Sequence, residues 1–294
     1  MGARLVVASL LSVSVAEAVA VMVNYSPQRT EELRVCDTHL YVGESAEAEL
    51  CYGALLSRSQ DARVRAEASW SLGDLRAANS YFQTAIEIYP GDAYARARWG
   101  YLYLATHQAN EAIRLFQEAL ELDPDLADAK LGIAAVAAGR FEERANEFVD
   151  EVIESNPERL DAWLLKARMS LEEGDLAGGD DLLENAFEVA EGEDVVPLEL
   201  YALYASRDLL YDITNSPWTV RALEYNPGYG DIYAIPAHFY VITRRYRQAI
   251  ELYERAVEIQ PNLWTAHAEL GVNLLRENRI AEAQRHLQIA YGGD

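Results

Sequence analysis

Five histidines, His39, His107, His238, His267 and His286, are the side chains in this sequence best suited to bind a metal or move a proton near neutral pH. No two stand four apart, the spacing that sets two imidazoles on one helical face, and His267 with Glu269 does not make a zinc motif. Each reads as a satisfied or solvent-facing histidine. A Gly-x-Ser-x-Gly nucleophile elbow is absent. Gly228-Tyr-Gly230 lacks the third glycine and the preceding strand of a dinucleotide loop, so it reads as a turn. Asp123-Pro-Asp125-Leu-Ala-Asp128 looks like the start of a calcium loop but has neither the glycine nor the closing glutamate. The residues predict no catalytic group, no metal site and no cofactor.

Recognition is the chemistry that remains. The 18 tyrosines cluster at Tyr94, Tyr101 and Tyr103, at Tyr201, Tyr204 and Tyr211, and at Tyr225, Tyr229, Tyr233 and Tyr240. A tyrosine has an apolar ring and a wet hydroxyl, so these are either packing residues or anchors for a bound chain. Asp128, Asp161 and Asp231 occupy corresponding places at the starts of periodic apolar segments, where a carboxylate suits the positive end of a helix.

The elements that must position these groups are announced by seven small residues: Ala85, Ala119, Val152, Ala186, Ala222, Ala256 and Ala290, at spacings of 34, 33, 34, 36, 34 and 34. Pro90, Pro124, Pro157, Pro227 and Pro261 follow by five. Bulky Phe82, Phe116, Val149, Leu183, Tyr253 and Leu287 precede by three, and Ala78, Ala112, Ala145, Gly179, Ala249 and Ala283 by seven. Those spacings share one helical face. Apolar segments such as Ala93 to Leu104, Leu160 to Leu171, Asp231 to Ile242 and Trp264 to Leu275 precede each such helix, and Gly73-Asp-Leu, Gly139-Arg-Phe and Gly174-Asp-Leu supply the turns between the two. The unit is helix, turn, helix, proline-marked turn. The unit at 194 to 227 is irregular, with a shortened second helix starting at Ser216-Pro217.

Over residues 59 to 291 the chain resembles the tetratricopeptide repeat, best in Trp99-Gly100, Tyr103, Ala112, Phe116, Ala119 and Pro124 and in Leu270-Gly271, Ala283, Leu287 and Ala290. The resemblance implies an all-α fold, a right-handed solenoid of antiparallel helix pairs with about seven repeats. It also implies that first helices line a groove that binds extended peptides or partner helices. Carried onto this sequence, the groove residues are Tyr94, Arg98, Tyr101, Asp128, Asp161, Arg168, Asp231 and His238. Arg98 and Arg168 are too few cations for a carboxylate clamp. An apolar segment carrying basic residues suits this aspartate-rimmed surface better. The wording from Leu270 to Arg276 and from Gln284 to Asp294 further resembles repeat regions that precede a zinc peptidase domain, although no His-Glu-x-x-His is present.

Outside the array, Arg4 precedes an apolar run from Leu5 to Val15 and then Ala16-Glu17-Ala18, which reads as an export signal over 1–18 or as an uncleaved anchor. Asn24-Tyr-Ser26 matches a glycosylation acceptor, a pattern common by chance. Residues 19–58 read as a linker and a capping helix over 44 to 57, followed by the array over 59–294. Cys36 and Cys51 are the only cysteines, and an exported chain would join them; the other reading is two thiols. The net charge of −23 disfavours nucleic acid and anionic membrane. The last helix ends without a polar cover, so a partner, a second copy or further chain is expected against it. These readings predict a non-enzymatic, exported protein-interaction scaffold in the periplasm or beyond. The competing expectations are the repeat region of a larger exported metallopeptidase and self-assembly through the last repeat.

Overall fold

The computed structural model describes residues 29–106, 108–139, 142, 144–192 and 198–291. The export signal, the Asn24 site and His107 lie outside them. Among the described residues there are helices and turns and no strand. None of these helices is long and apolar enough to cross a membrane. In order they are α1 (Glu31–Tyr41), α2 (Ser45–Arg58), α3 (Ala62–Ser71), α4 (Leu75–Ile88), α5 (Ala93–Ala105), α6 (Ala109–Leu122), α7 (Ala127–Ala138), α8 (Arg144–Ser155), α9 (Leu160–Glu173), α10 (Leu176–Gly192), α11 (Leu198–Leu210), α12 (Pro217–Tyr225), α13 (Asp231–Ile242), α14 (Tyr246–Ile259), α15 (Trp264–Arg276) and α16 (Ile280–Tyr291). The chain forms two compact units, Met1–Lys166 with Val189–Val196, and Ala167–Glu188 with Pro197–Asp294.

The expected helix pairs are present, with odd-numbered first helices and even-numbered second helices from α3 onward. Aspartates start several of them: Asp61, Asp74 and Asp92 accept the backbone N–H of Arg63, Ala77 and Ala95, each satisfying one of the orphan donors of a first turn. Ser216 does the same for α12, with Pro217 as its first residue. Gly73 and Gly174 take left-handed backbone at φ 80° and 85° in the turns that join two helices. Gly139 does not: its φ is −61°, so the expectation that it relieves its turn in the same way is corrected. The segment 31–41, expected to be linker, is helix α1, and with α2 it makes a hairpin ahead of the array.

In the first unit the large residue of each second helix fills the space between first helices. Phe82 packs with Ala66, Ala78, Trp99 and Leu102, and Phe116 with Ala97, Ala112, Ala119, Ala129 and Ile133; both phenylalanines are fully buried. Burying such a ring stabilises by about 1.5–3 kcal/mol. The close approach depends on two glycines. A Cβ on Gly100 would stand 2.7 Å from the Phe116 ring and one on Gly132 only 2.4 Å. Because the ring is hemmed in on all sides, Gly132→Ala should destabilise the protein by about 1–3 kcal/mol, the cost of overpacking a filled core. A urea unfolding midpoint equal to that of the wild type would refute this. In the second unit Tyr253 plays the part of Phe116, packed with Ala237, Ala249, Ala256, Ala266 and Leu270.

Candidate functional site

The first-helix faces were expected to carry the binding residues, and the two units use them differently. In the first unit the charged and aromatic side chains are joined from one repeat to the next. Glu67 on α3 receives Arg98 of α5 at 2.6 and 3.0 Å and Arg29 at 2.9 Å. Arg29 also pairs with Asp37 of α1, which accepts the Tyr52 hydroxyl from α2. Arg98 lies over the Trp70 and Tyr101 rings at 5.1 and 5.7 Å, a cation over two π faces. The Tyr101 hydroxyl donates to the Asp128 carbonyl of α7 at 2.9 Å. Asp128 lies 3.5 Å from Arg159, which forks onto Asp161 of α9 at 2.8 and 2.9 Å. The rungs therefore run from α1 to α9.

Electrostatics follow from that pairing. Burial alone would raise the Glu67 carboxyl, but Arg98 and Arg29 outweigh it and hold the group down at about 2. Burial raises the Tyr101 hydroxyl, with the Asp128 and Asp161 charges adding to it. It likewise lifts Asp161 above the usual carboxylate range, against the pull of Arg159. Tyr94 and Asp128 are buried, at 7% and 6% exposure. Of the groove residues expected here, Arg98, Tyr101, Asp128 and Asp161 come together and link one repeat to the next, and Tyr94 is buried.

The second unit gathers Arg168, Asp231 and His238 with a residue that the sequence reading did not single out, Glu172. Arg168 donates to Glu172 at 2.7 Å along α9, and the His238 ring of α13 approaches the same carboxylate oxygen at 3.3 Å. Burial would raise the Glu172 carboxyl, but His238 and Arg168 bring it below the ordinary value. Asp231, in the first turn of α13, is half-buried and has no hydrogen bond or ion pair among the described residues. Burial pushes its carboxyl up to about 6, opposed only by Arg168. It is ionised at neutral pH in a place that disfavours the charge.

The histidines are scattered along the sequence, and the fold brings two together. His267 Nδ1 and His286 Nδ1 are 2.8 Å apart across the α15–α16 hairpin, and His267 Nε2 meets the Pro261 carbonyl at 3.1 Å. Nε2 of His267 therefore carries the proton, and His286 donates to its bare Nδ1. Burial and the His267 ring lower the His286 imidazole below its ordinary value. No helical spacing signals a pair 19 residues apart across a turn. Among the described residues no group of three or more His, Cys, Asp or Glu is placed to hold a metal. Cys36 and Cys51 form a disulfide between α1 and α2, with Cα atoms 5.3 Å apart.

Helix pairs in register, with first-helix faces linked from repeat to repeat, define an α-helical repeat protein of the solenoid class. Family models described as the tetratricopeptide repeat match residues 69–135, 103–168 and 231–263, so those stretches are repeats of that type. No curated protein matches the sequence. Among solved structures, the chain is similar to a monomeric IFIT1 mutant with Gppp-AAAA, at 15% identity over 94% of this chain and 72% of that one, TM-score 0.51. It is also similar to a human IFIT1 dimer with m7Gppp-AAAA, at 16% identity over 94% and 71%, TM-score 0.51. Pseudomonas aeruginosa pilF aligns at 17% identity over 69% and 93%, TM-score 0.43. At these identities the likeness is one of fold. Repeats of this type suggest a protein-interaction scaffold.

Proposed function

We propose that the protein is an extracytoplasmic scaffold and that the first-helix face of its second unit, around Asp231, His238, Glu172 and Arg168, receives a partner polypeptide that brings a basic side chain among apolar ones. The observation that carries this reading is Asp231. On the first-helix faces Glu67, Asp161 and Glu172 each have a cation within hydrogen-bond distance, whereas Asp231 has none. A lysine or arginine from a partner would supply it. The Cys36–Cys51 disulfide supports an oxidising compartment. Binding of Gppp-AAAA or m7Gppp-AAAA, as in the IFIT1 structures, is not carried over, because a chain of net charge −23 repels phosphate.

The strain at Asp231 is measurable without knowing the partner. A carboxyl at about 6 in the folded chain, against 3.8 unperturbed, means that the native state binds its proton more tightly than the unfolded state does. Its contribution to stability is therefore harmless below the unperturbed value, is lost as pH rises between the two values, and stays lost above about 6. Asp231→Asn should raise stability at pH 7.5 by about 1–3 kcal/mol, discounting roughly 1.4 kcal/mol per unit for partial exposure. At pH 3.5 it should change nothing. For function, affinity capture with crosslinking should recover a partner on wild type whose crosslinks fall on α13 and whose yield falls at least fivefold on Asp231→Asn. Undiminished recovery by the variant would sink the reading.

A further inference from the structure

The irregular repeat leaves a hole. At the place three before the small residue, where other second helices set Phe82, Phe116, Leu183 or Tyr253, the repeat containing Ala222 has Thr219, and at the place seven before it has Asn215. Helix α12 has 9 residues where α4, α6 and α14 have 14. The result is a cavity of about 300 Å³ lined by Leu209 of α11, the Ile213 to Pro217 turn, Thr219 and Val220 of α12, Ile232 and Pro236 of α13, and Leu252 and Arg255 of α14. Thr219 and Asn215 both face it. The residue at the knob position, Thr219, lines this pocket and is too small to fill it.

Two further features make it more than a packing defect. Pro236 sits inside α13 and has no N–H, so the Ile232 carbonyl one turn earlier is denied its helical hydrogen bond, and both residues line the cavity. Arg255 stands over the Tyr233 ring at 5.8 Å and has no carboxylate partner among the described residues. A half-open cavity of this size, with apolar walls, polar groups from Thr214, Asn215, Ser216 and Thr219, and the Arg255 guanidinium, can hold a small molecule with both an apolar body and a charged end.

The geometry points to a ligand site for a small amphipathic monocarboxylic acid, whose ring or branched apolar body replaces the missing knob and whose carboxylate meets Arg255. The carboxylate is selected by the unpaired guanidinium, which binds planar oxyanions in a fork. Asp231, His238, Glu172 and Arg168 do not line this site, so its test is independent of theirs.

Titration of the full-length, unreduced protein with 3-phenylpropionate, followed by calorimetry and by ligand-observed NMR, tests it. Saturable binding with one site is expected. Replacement of the acid by 3-phenylpropionamide, or of Arg255 by glutamine, should weaken binding at least tenfold, and the two losses should not add. Thr219→Phe, which restores the knob, should abolish binding and raise the thermal midpoint. Arg255 is exposed, so Arg255→Gln keeps the test valid if Thr219→Phe fails to fold. Equal binding of acid and amide, unchanged affinity on Arg255→Gln, or no saturable binding of the acid would overturn the proposal.

Discussion

Glu67→Ala should cost about 3–5 kcal/mol, the effect of stripping one partner from a buried ion network. Glu67 is 4% exposed and carries both Arg29 and Arg98. Removal leaves two guanidinium groups in a poorly solvated place, with Asp37 as the only carboxylate still in contact with Arg29 among the described residues. The loss therefore exceeds what the ion pairs contribute net, since removing one partner strands the others. Two controls separate that cause from simple loss of packing. Adding Arg98→Met to Glu67→Met should cost less than the sum of the single replacements, because the pair vanishes together. The effect should also shrink in acid. Glu67 is held down at about 2, below its unperturbed value of 4.5, so its contribution is full above 4.5 and is lost as pH falls through about 2. Denaturant unfolding at pH 7 and pH 2 reads both. An additive double variant, or a cost that is the same at the two pH values, would refute the assignment.

Removing the disulfide with Cys36→Ala and Cys51→Ala should cost about 3 kcal/mol, the loop-closure value for a ring of about 15 residues. Cys36 is fully buried among Leu33, Ala48, Tyr52, Leu55 and Val64. The bridge has a neighbour in sequence on both sides: Asp37 follows Cys36, Tyr52 follows Cys51, and Tyr52 donates to Asp37. Loosening the bridge therefore loosens the anchor of Arg29. Hydrogen exchange should show lost protection over α1 to α3 and unchanged protection beyond α5, because repeat arrays transmit contacts only to neighbours. Unaltered exchange over 31–58 would contradict this.

The repeat register was legible because it rests on residue size at fixed spacing, and size at Ala78, Phe82 and Ala85 is what lets α4 sit against its neighbours. The shortened α12 was legible too, from Ser216-Pro217. The use of the first-helix faces was not. A charge at Arg98 reads the same whether it faces solvent or Glu67, and its partner lies 31 residues back, outside any helical window. Arg159 finds Asp128 and Tyr211 finds Asp180 at the same separation of 31. A scan for opposite charges roughly one repeat apart would have found the two arginine rungs. Asp231, which lacks such a partner, would then have stood out. Helix α1 was missed because its polar exterior gives little periodic signal, and its inner side is fixed by a disulfide and a carboxylate rather than by a stripe of apolar residues.

The rungs of the first unit bear on how such a chain can change over time. Arrays of near-identical units can gain or lose a copy by recombination, since each interface accepts any neighbour. Here that freedom is curtailed. Excision of one 34-residue unit would bring Gly132 to the position of Arg98 and Ala135 to that of Tyr101. Glu67 would face a residue with no charge, and the Asp128 carbonyl would be left without its donor. The units between α3 and α9 are thus ordered by their side chains, each written for one predecessor and one successor, and their copy number is locked by polar groups rather than by the helices that stack.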